Sequence, residues 1–174
     1  MTSTQLNLIP TEHLLKENDI FSYRKELLEA TGFSTFNVVY DSKINGFNKD
    51  AFDASVIGKQ NILTLIITSD NHIFGAYHSN IPSLSSFQVV IDSKAFIFAL
   101  SNGLKTFKNI DSGSFFNGNQ PVYEVSCAFK INDPSKQSII CAYANRYYQG
   151  LNNSTVFAGN DTFITSQLIG LELH

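Results

Sequence analysis

The side chains with the richest chemistry in this chain are four histidines, two cysteines and a few hydroxyls and carboxylates set among strand-like segments. His72 and His78 share one face of an expected strand but stand six residues apart. At ordinary strand rise that is roughly 20 Å, too far for one metal ion. His72 borders a turn and His78 a loop, so both read as solvated strand-end residues. His13 falls in a front helical segment, and His174 is the last residue. Cys127 and Cys141 lie in apolar, strand-like runs with no cation beside them in sequence. In that setting a cysteine acts as a small hydrophobe rather than a nucleophile. Ser126, Ser138 and Glu124 are strand residues that could meet a histidine in space. The polar face of a half-exposed strand accounts for them without catalysis, and a triad is defined by geometry rather than spacing.

Several short motifs fail on their chemistry. Asp41-Ser-Lys-Ile-Asn45-Gly46 half-matches a calcium loop, but Lys43 puts a cation where an oxygen ligand belongs and Phe52 replaces the bidentate glutamate. Gly58-Lys59-Gln60 lacks the glycine spacing and the hydroxyl of a phosphate-binding loop, and neither a nucleophile elbow nor a dinucleotide fingerprint occurs. No cofactor or metal signature is present, so none is expected.

The elements that must position these groups follow from periodicity. Leu63, Leu65 and Ile67 alternate with Thr64, Ile66 and Thr68, a strand with bulky groups on both faces. Ser69-Asp70-Asn71 is turn chemistry, and His72–His78 returns as a second strand. Gly75 inside it marks a bulge or a close backbone approach. This hairpin, covered on two sides, is expected at the centre of a sheet. Upstream, Thr11–Glu17 after Pro10 reads as a turn of helix and Asp19–Thr31 as a helix. Asp19 would cap it, Ile20, Tyr23, Leu27 and Leu28 would form one face, and Gly32 would stop it. Phe33–Tyr40 switches to period two, placing Phe36, Val38 and Tyr40 on one face. Asp41–Gly46 reads as a loop, and Asn48 caps a short helix, Lys49–Ile57, with Phe52 and Val56 on its buried face.

Downstream, Phe87–Ile91 is a candidate edge strand in a polar stretch. Ala95–Leu100 is a buried strand, and Asn102-Gly103 turns into another at Leu104–Ile110. Asp111–Pro121 reads as loop. Val122–Phe129 and Ser138–Ala144 read as strands, Asn145–Asn160 as mostly loop, and Phe163–Leu173 as a closing strand. Strand after strand with helices near the front predicts an α+β fold of two antiparallel β-sheets packed as a sandwich.

Composition agrees. The chain has 174 residues, 43% apolar and 16% charged, with 15 Phe and seven Tyr but no Trp, which suits one aromatic, β-rich domain. A formal charge of −3 with no basic cluster argues against nucleic acid and anionic membrane surfaces. The first residues lack the basic start and apolar core of a signal peptide, and no apolar run approaches the roughly 20 residues of a membrane span. Two cysteines make no disulfide framework, and the sequons at Asn152, Asn153 and Asn160 are read as incidental. The expected location is intracellular.

One ordered series of motifs resembles the TLDc domain family. Phe36-Asn-Val-Val-Tyr-Asp41-Ser42 with Gly46-Phe47 is similar to the family's strand and following loop. Phe52, then Leu63–Ile67, then Ile73-Phe74-Gly75-Ala76-Tyr77 match its helix, strand and Phe-Gly-x-Tyr signature. Ala95-Phe96-Ile97-Phe98-Ala99-Leu100 resembles its Phe-Leu-Phe-Ser-Leu strand. Phe157-Ala158-Gly159 with Phe163 resembles its Ala-Gly-x-x-x-Phe element, and Leu28–Gly32 is like the leader of TLDc-like proteins of protists. On this resemblance residues 1–18 are a leader and 19–174 the domain.

The sequence departs from the family pattern in two places. The Gly-rich loop is reduced to Phe115-Phe116-Asn117-Gly118, and the acid of the closing strand is displaced from around Ile169 to Glu172.

The resemblance implies two antiparallel sheets with flanking helices and no established catalytic mechanism. It implies association with oxidative-stress resistance and regulation of the vacuolar proton-pumping ATPase. It further implies a protein partner, with subunits of that ATPase as candidates, and a cytoplasmic location extending to the periphery of acidic organelles. On this view the family-motif positions Asp41, Gly46, Phe52, Phe74, Gly75, Tyr77, Phe96, Phe98, Gly159 and Phe163 shape turns and fill a core rather than react. The expected function is a non-catalytic interaction module. The alternative is an enzyme, a hydrolase or thiol-dependent antioxidant using Cys127, Cys141 or a Ser/His pair. A third reading is a carbohydrate- or lipid-binding sandwich.

Overall fold

The computed structural model describes residues 20–81, 90–100, 103–110, 114–115 and 121–174. The chain opens with α1 (Ile20–Thr31) and β1 (Phe36–Asp41), followed by α2 (Ser42–Asn45), α3 (Lys49–Val56), β2 (Gln60–Thr68) and β3 (Ile73–Asn80). Then come β4 (Val90–Ile91), β5 (Phe96–Ala99), β6 (Lys105–Lys108), β7 (Ser114–Phe115), β8 (Tyr123–Val125), β9 (Phe129–Ile131) and β10 (Ser138–Ile140). A single 3-10 turn at Ala144–Arg146, α4 (Thr155–Ala158), β11 (Thr162–Phe163) and β12 (Thr165–Leu173) complete it. Two antiparallel six-stranded sheets result, one in the order β1-β12-β2-β3-β5-β6 and the other β11-β10-β9-β8-β7-β4. The expected α+β sandwich is therefore what forms.

The β2–β3 hairpin stands in the middle of the first sheet, with Asn71 at φ 67° in its turn. Its two faces feed two cores. Ile62, Ile66, Phe74 and Ala76 face the second sheet, where they meet Tyr123, Phe129 and Ile140. Leu63, Leu65 and Tyr77 face outward and pack with Leu27 of α1, flanked by Tyr23 and Leu28. Between the sheets the packing is aromatic. Phe74 has Phe129, Phe163 and Phe157 around it at centroid distances of 5.3, 5.4 and 5.6 Å. Rings at such separations in tilted and edge-on poses add to their area burial.

α1 ends as expected, with the amides of Gly32 and Phe33 both returning to the Leu28 carbonyl. Asn48 caps α3 by accepting from the Ala51 amide at 2.9 Å. The expected cap Asp19 and the segments Thr11–Glu17, Phe87–Val89 and Phe116–Gly118 lie outside the described residues.

Five expectations need correction. Tyr40 does not share a face with Phe36 and Val38, because a bulge between Val38 and Tyr40 adds a residue to β1. Val38 enters the outer core and Tyr40 the core between the sheets. A one-residue insertion exchanges faces because side chains alternate with period two. Asp41–Gly46 is helical over Ser42–Asn45, since the Asp41 carboxylate accepts from the Lys43 amide at 2.9 Å and starts the turn. Val122–Phe129 is a hairpin, turning at Ser126–Ala128 with Cys127 at φ 57°. Ser114–Phe115, read as loop, pairs with β4 and β8. Finally, Phe163–Leu173 is two strands in different sheets: the chain breaks at Ile164 and crosses from the second to the first.

Candidate functional site

Two convergences of buried polar side chains involve His78 and Asp41. At the first, strand pairing sets Ile62 opposite His78 and Thr64 opposite Ala76, so the Thr64 and His78 side chains project toward the second sheet. There they meet Tyr123 of β8. Its hydroxyl lies 2.7 Å from His78 Nε2 and 3.0 Å from Thr64 Oγ1, and Thr64 Oγ1 also accepts from the Ala76 amide at 3.2 Å. Burial lowers the His78 pKa to about 4, against a smaller opposing effect of Asp92. A neutral ring leaves Nε2 able to accept the Tyr123 hydroxyl. Burial pushes the Tyr123 phenol up, partly offset by Thr64. His78 is thus not the solvated strand-end residue expected of it, being 1% exposed. β3 continues to Asn80, so His78 keeps the inward alternation of Phe74 and Ala76. The cavity beside it, lined also by Asn109 and Tyr148, has about 10 Å³, room for one water at most. This cluster ties the sheets together and admits no substrate.

The second convergence is Asp41, fully buried at the end of β1. Both its oxygens accept from Gln167 Nε2 at 3.0 Å, while Ser42 Oγ accepts from the Leu168 amide at 2.9 Å. Burial of a carboxylate requires such partners. The Asp41 carboxylate is committed to holding α2 against β12 rather than open to a cation.

The remaining motif positions are placed as follows. Phe52 packs edge-on against Tyr40 at 5.1 Å, and Tyr40 donates to the Gly46 carbonyl at 2.9 Å. Gly75 faces the Thr64 carbonyl, which an added Cβ would approach to 1.8 Å. Tyr77, Phe96 and Phe98 line the outer core, and Tyr77 donates to Asn61 Oδ1 at 3.2 Å. Gly159 ends α4 at φ 74°, and Phe163 is buried.

The expected nucleophiles and acids do not assemble. Ser138 Oγ pairs with Thr165 Oγ1 at 2.8 Å and accepts from the Asn132 amide, fully buried rather than on a half-exposed face. Ser126 Oγ points at Cys127 Sγ, and Glu124 meets Lys130 at 3.2 Å. None of these three turns to a histidine among the described residues. His72 lies 3.2 Å from the Asp70 carboxylate, His174 bonds Asn37 at 3.1 Å, and His13 is outside the described residues. Among the described residues no three His, Cys, Asp or Glu side chains gather as a metal set. Cys127 and Cys141 are half-buried and, contrary to expectation, outside the strands: one at a hairpin tip, the other just after β10. The Cys141 amide donates to the Ala128 carbonyl at 2.7 Å, which brings the two cysteines to neighbouring chain positions. Tyr148 stands over them, donating to the Ser126 carbonyl at 2.8 Å. Burial raises its phenol pKa, a bond from Asn109 opposes this, and both thiols add to the rise.

Sequence reasoning missed Tyr123, Tyr148 and Gln167. Each partners a residue far along the chain, so no local pattern marks them. It also missed an exposed cluster where the residues after β6 meet the 3-10 turn after β10. Tyr143 is 58% and Ile110 61% exposed, and the Arg146 guanidinium lies 4.7 Å from the Tyr143 ring centroid. The Ile110 amide donates to the Tyr147 carbonyl at 2.8 Å, which joins them into one patch.

Fold and interior together define a two-sheet sandwich whose distinctive residues are packed inside, with no assembled reaction centre among the described residues. The TLDc domain family profile matches residues 9–122, well over half of the 174-residue chain. This protein belongs to the TLDc domain family. The match stops before Gly159 and Phe163, although β12 is the strand that joins β1 to β2. No curated protein is significantly similar to the chain. Among the described residues no helix is long and apolar enough to cross a membrane.

Proposed function

We propose that residues 19–174 work as one non-catalytic module that acts by protein–protein contact, and that the family-motif residues serve the fold. The observation that carries this reading is a division of labour. The motif side chains are buried, while large apolar and cationic groups gather outside at Ile110, Tyr143, Arg146 and Tyr147. Tyr and Arg with an aliphatic neighbour are the residue types that dominate binding energy at protein interfaces. The likeness to TLDc proteins makes subunits of the vacuolar proton-pumping ATPase the partner to try first, at the cytoplasmic surface of acidic organelles and in the setting of oxidative stress. The test uses the purified ATPase and the full chain. Binding that weakens about tenfold or more in a Tyr143→Ala, Arg146→Ala, Tyr147→Ala variant of unchanged melting temperature supports the reading. Equal binding by that variant, or none by either protein, overturns it.

One observation favours thiol chemistry as a second reading: the Cys141 amide bonds the carbonyl of Ala128, the residue after Cys127, and both cysteines act on the Tyr148 phenol. Such a pair would reduce one peroxide to two waters while forming one disulfide, and would need an external thiol to turn over. Peroxide consumption with a thiol reductant, equal in wild type and in Cys127→Ser with Cys141→Ser, excludes it.

A further inference from the structure

On the outer face of the first sheet, where α1 ends beside β5 and β6, a groove of about 370 Å³ opens to solvent. That volume lies in the range of ligand pockets. Three rings form its floor. Tyr77 stands between Phe33 at 6.4 Å and Phe96 at 5.3 Å, centroid to centroid. Around this floor the charged groups have one sign, beside the hydroxyls of Thr31 and Ser93. Lys94 and Lys108 supply ammonium groups, and among the described residues neither has a carboxylate partner. Asn61 accepts the Tyr77 hydroxyl at its Oδ1, which leaves its amide N–H groups as donors. It holds this position at φ 55°, a left-handed conformation inside a strand. Such conformations cost free energy and persist where the surroundings fix them.

Among the described residues no carboxylate lines the groove. Asp92, next to the lining residue Ser93, spends its oxygens on Ser79 and on the Lys94 amide. The site therefore offers an aromatic floor, two cations and uncharged amide and hydroxyl groups, in a protein of net charge −3. We infer that this groove binds an acidic segment of a partner protein, seating one aromatic or large aliphatic side chain on Tyr77 and its flanking carboxylates on Lys94 and Lys108. The inference rests on the reading of this chain as a docking module, and it adds a second contact and the chemistry of the ligand.

The shape favours a segment over a free small anion. A small ligand is usually enclosed over most of its surface, and this groove is open along one side. It also borders β6, the edge strand of its sheet, whose far end is closed by the Gln149 amide on the Lys108 carbonyl. Neither element suffices alone. Exposed lysines contribute weakly and are screened by salt, whereas the ring floor gives no sign preference. The required ligand carries both.

The experiment is a titration of the ¹⁵N-labelled full chain with three acetylated peptides: Asp-Glu-Phe-Asp-Glu, its central-alanine counterpart, and Lys-Arg-Phe-Lys-Arg. Only the first is expected to shift the amides of Asn61, Tyr77, Lys94 and Lys108 at about 1 mM. Charge reversal by Lys94→Glu with Lys108→Glu, both exposed positions, is expected to weaken that binding at least about tenfold with no change in melting temperature. No shift at these amides, shifts elsewhere, an equal response to the basic peptide, or affinity unchanged by charge reversal would each overturn the proposal. So would a dimer that charge reversal dissociates, since a second copy would then be the occupant. If the peptides fail while the ATPase still binds through Tyr143, Arg146 and Tyr147, only the groove is refuted.

Discussion

Replacing Gly75 by alanine tests whether the centre of the first sheet is as close-packed as its geometry states. A Cβ built on Gly75 would stand 1.8 Å from the Thr64 carbonyl oxygen and 2.9 Å from Phe98 Cζ. The first neighbour is backbone, paired in the ladder between β2 and β3, so it cannot rotate away. Either the two strands part locally or the ladder shifts. Inserting a methyl group into a packed interior costs about 1–3 kcal/mol when side chains can yield. With a main-chain neighbour the upper end applies, about 3 kcal/mol or more. For a domain of this size each kcal/mol lowers the melting temperature by about 2–4 °C, so a fall of about 6–12 °C is expected. Gly170→Ala is the control. Its nearest contacts are Tyr40 Cβ at 3.3 Å, which need give only a few tenths of an ångström, and Val56 Cγ1 at 3.5 Å, an ordinary contact. Differential scanning calorimetry of both variants reads the contrast. A Gly75→Ala protein melting within about 2 °C of wild type, or no lower than Gly170→Ala, would refute the reasoning.

Other outcomes follow from the same interior. The folded His78 pKa, about 4, lies below the ordinary 6.5, so the unfolded chain binds a proton that the folded chain refuses. Its contribution to stability is whole above pH 6.5 and is lost as pH falls toward 4, by about 3 kcal/mol in all. Urea midpoints from pH 7.5 to 4.5 should therefore fall more steeply for wild type than for His78→Phe, and parallel slopes would contradict the burial. Phe74→Ala removes the ring at the centre of the inter-sheet aromatic cluster and should cost about 3–5 kcal/mol by urea denaturation; a loss under about 1 kcal/mol would show that the cluster collapses to fill the gap. Asp41→Ala removes the carboxylate that accepts from Gln167 in the interior and should cost about 1–3 kcal/mol, partly restored in Asp41→Ala with Gln167→Leu. No restoration would mean that the pair does not act as a unit.

Much of this fold is legible in the chain itself. The alternation of Leu63 to Thr68, the turn at Ser69–Asn71 and the cap at Asn48 are local consequences of residue type, and each stands where its chemistry puts it. The places where the reading slipped share one cause. The bulge at Val39, the hairpin at Cys127 and the crossing at Ile164 are sites where pairing with a distant strand overrides local pattern. Cys127 adopts φ 57° although cysteine has no preference for it, because β8 and β9 must turn there to pair.

The interior polar clusters were beyond reach for a related reason. His78 finds its partner 45 residues away and Asp41 finds Gln167 at 126, so neither association leaves a mark in local sequence. Residue type and period by themselves determined a two-faced central hairpin, an aromatic interior and a sandwich, because alternation and turn chemistry act over a few residues. Only the packed chain decided that His78 is buried and neutral, that Tyr148 gathers the two cysteines, and that three rings and two lysines border one groove. Those facts depend on which strands become neighbours, and neighbours are chosen by the burial of whole faces.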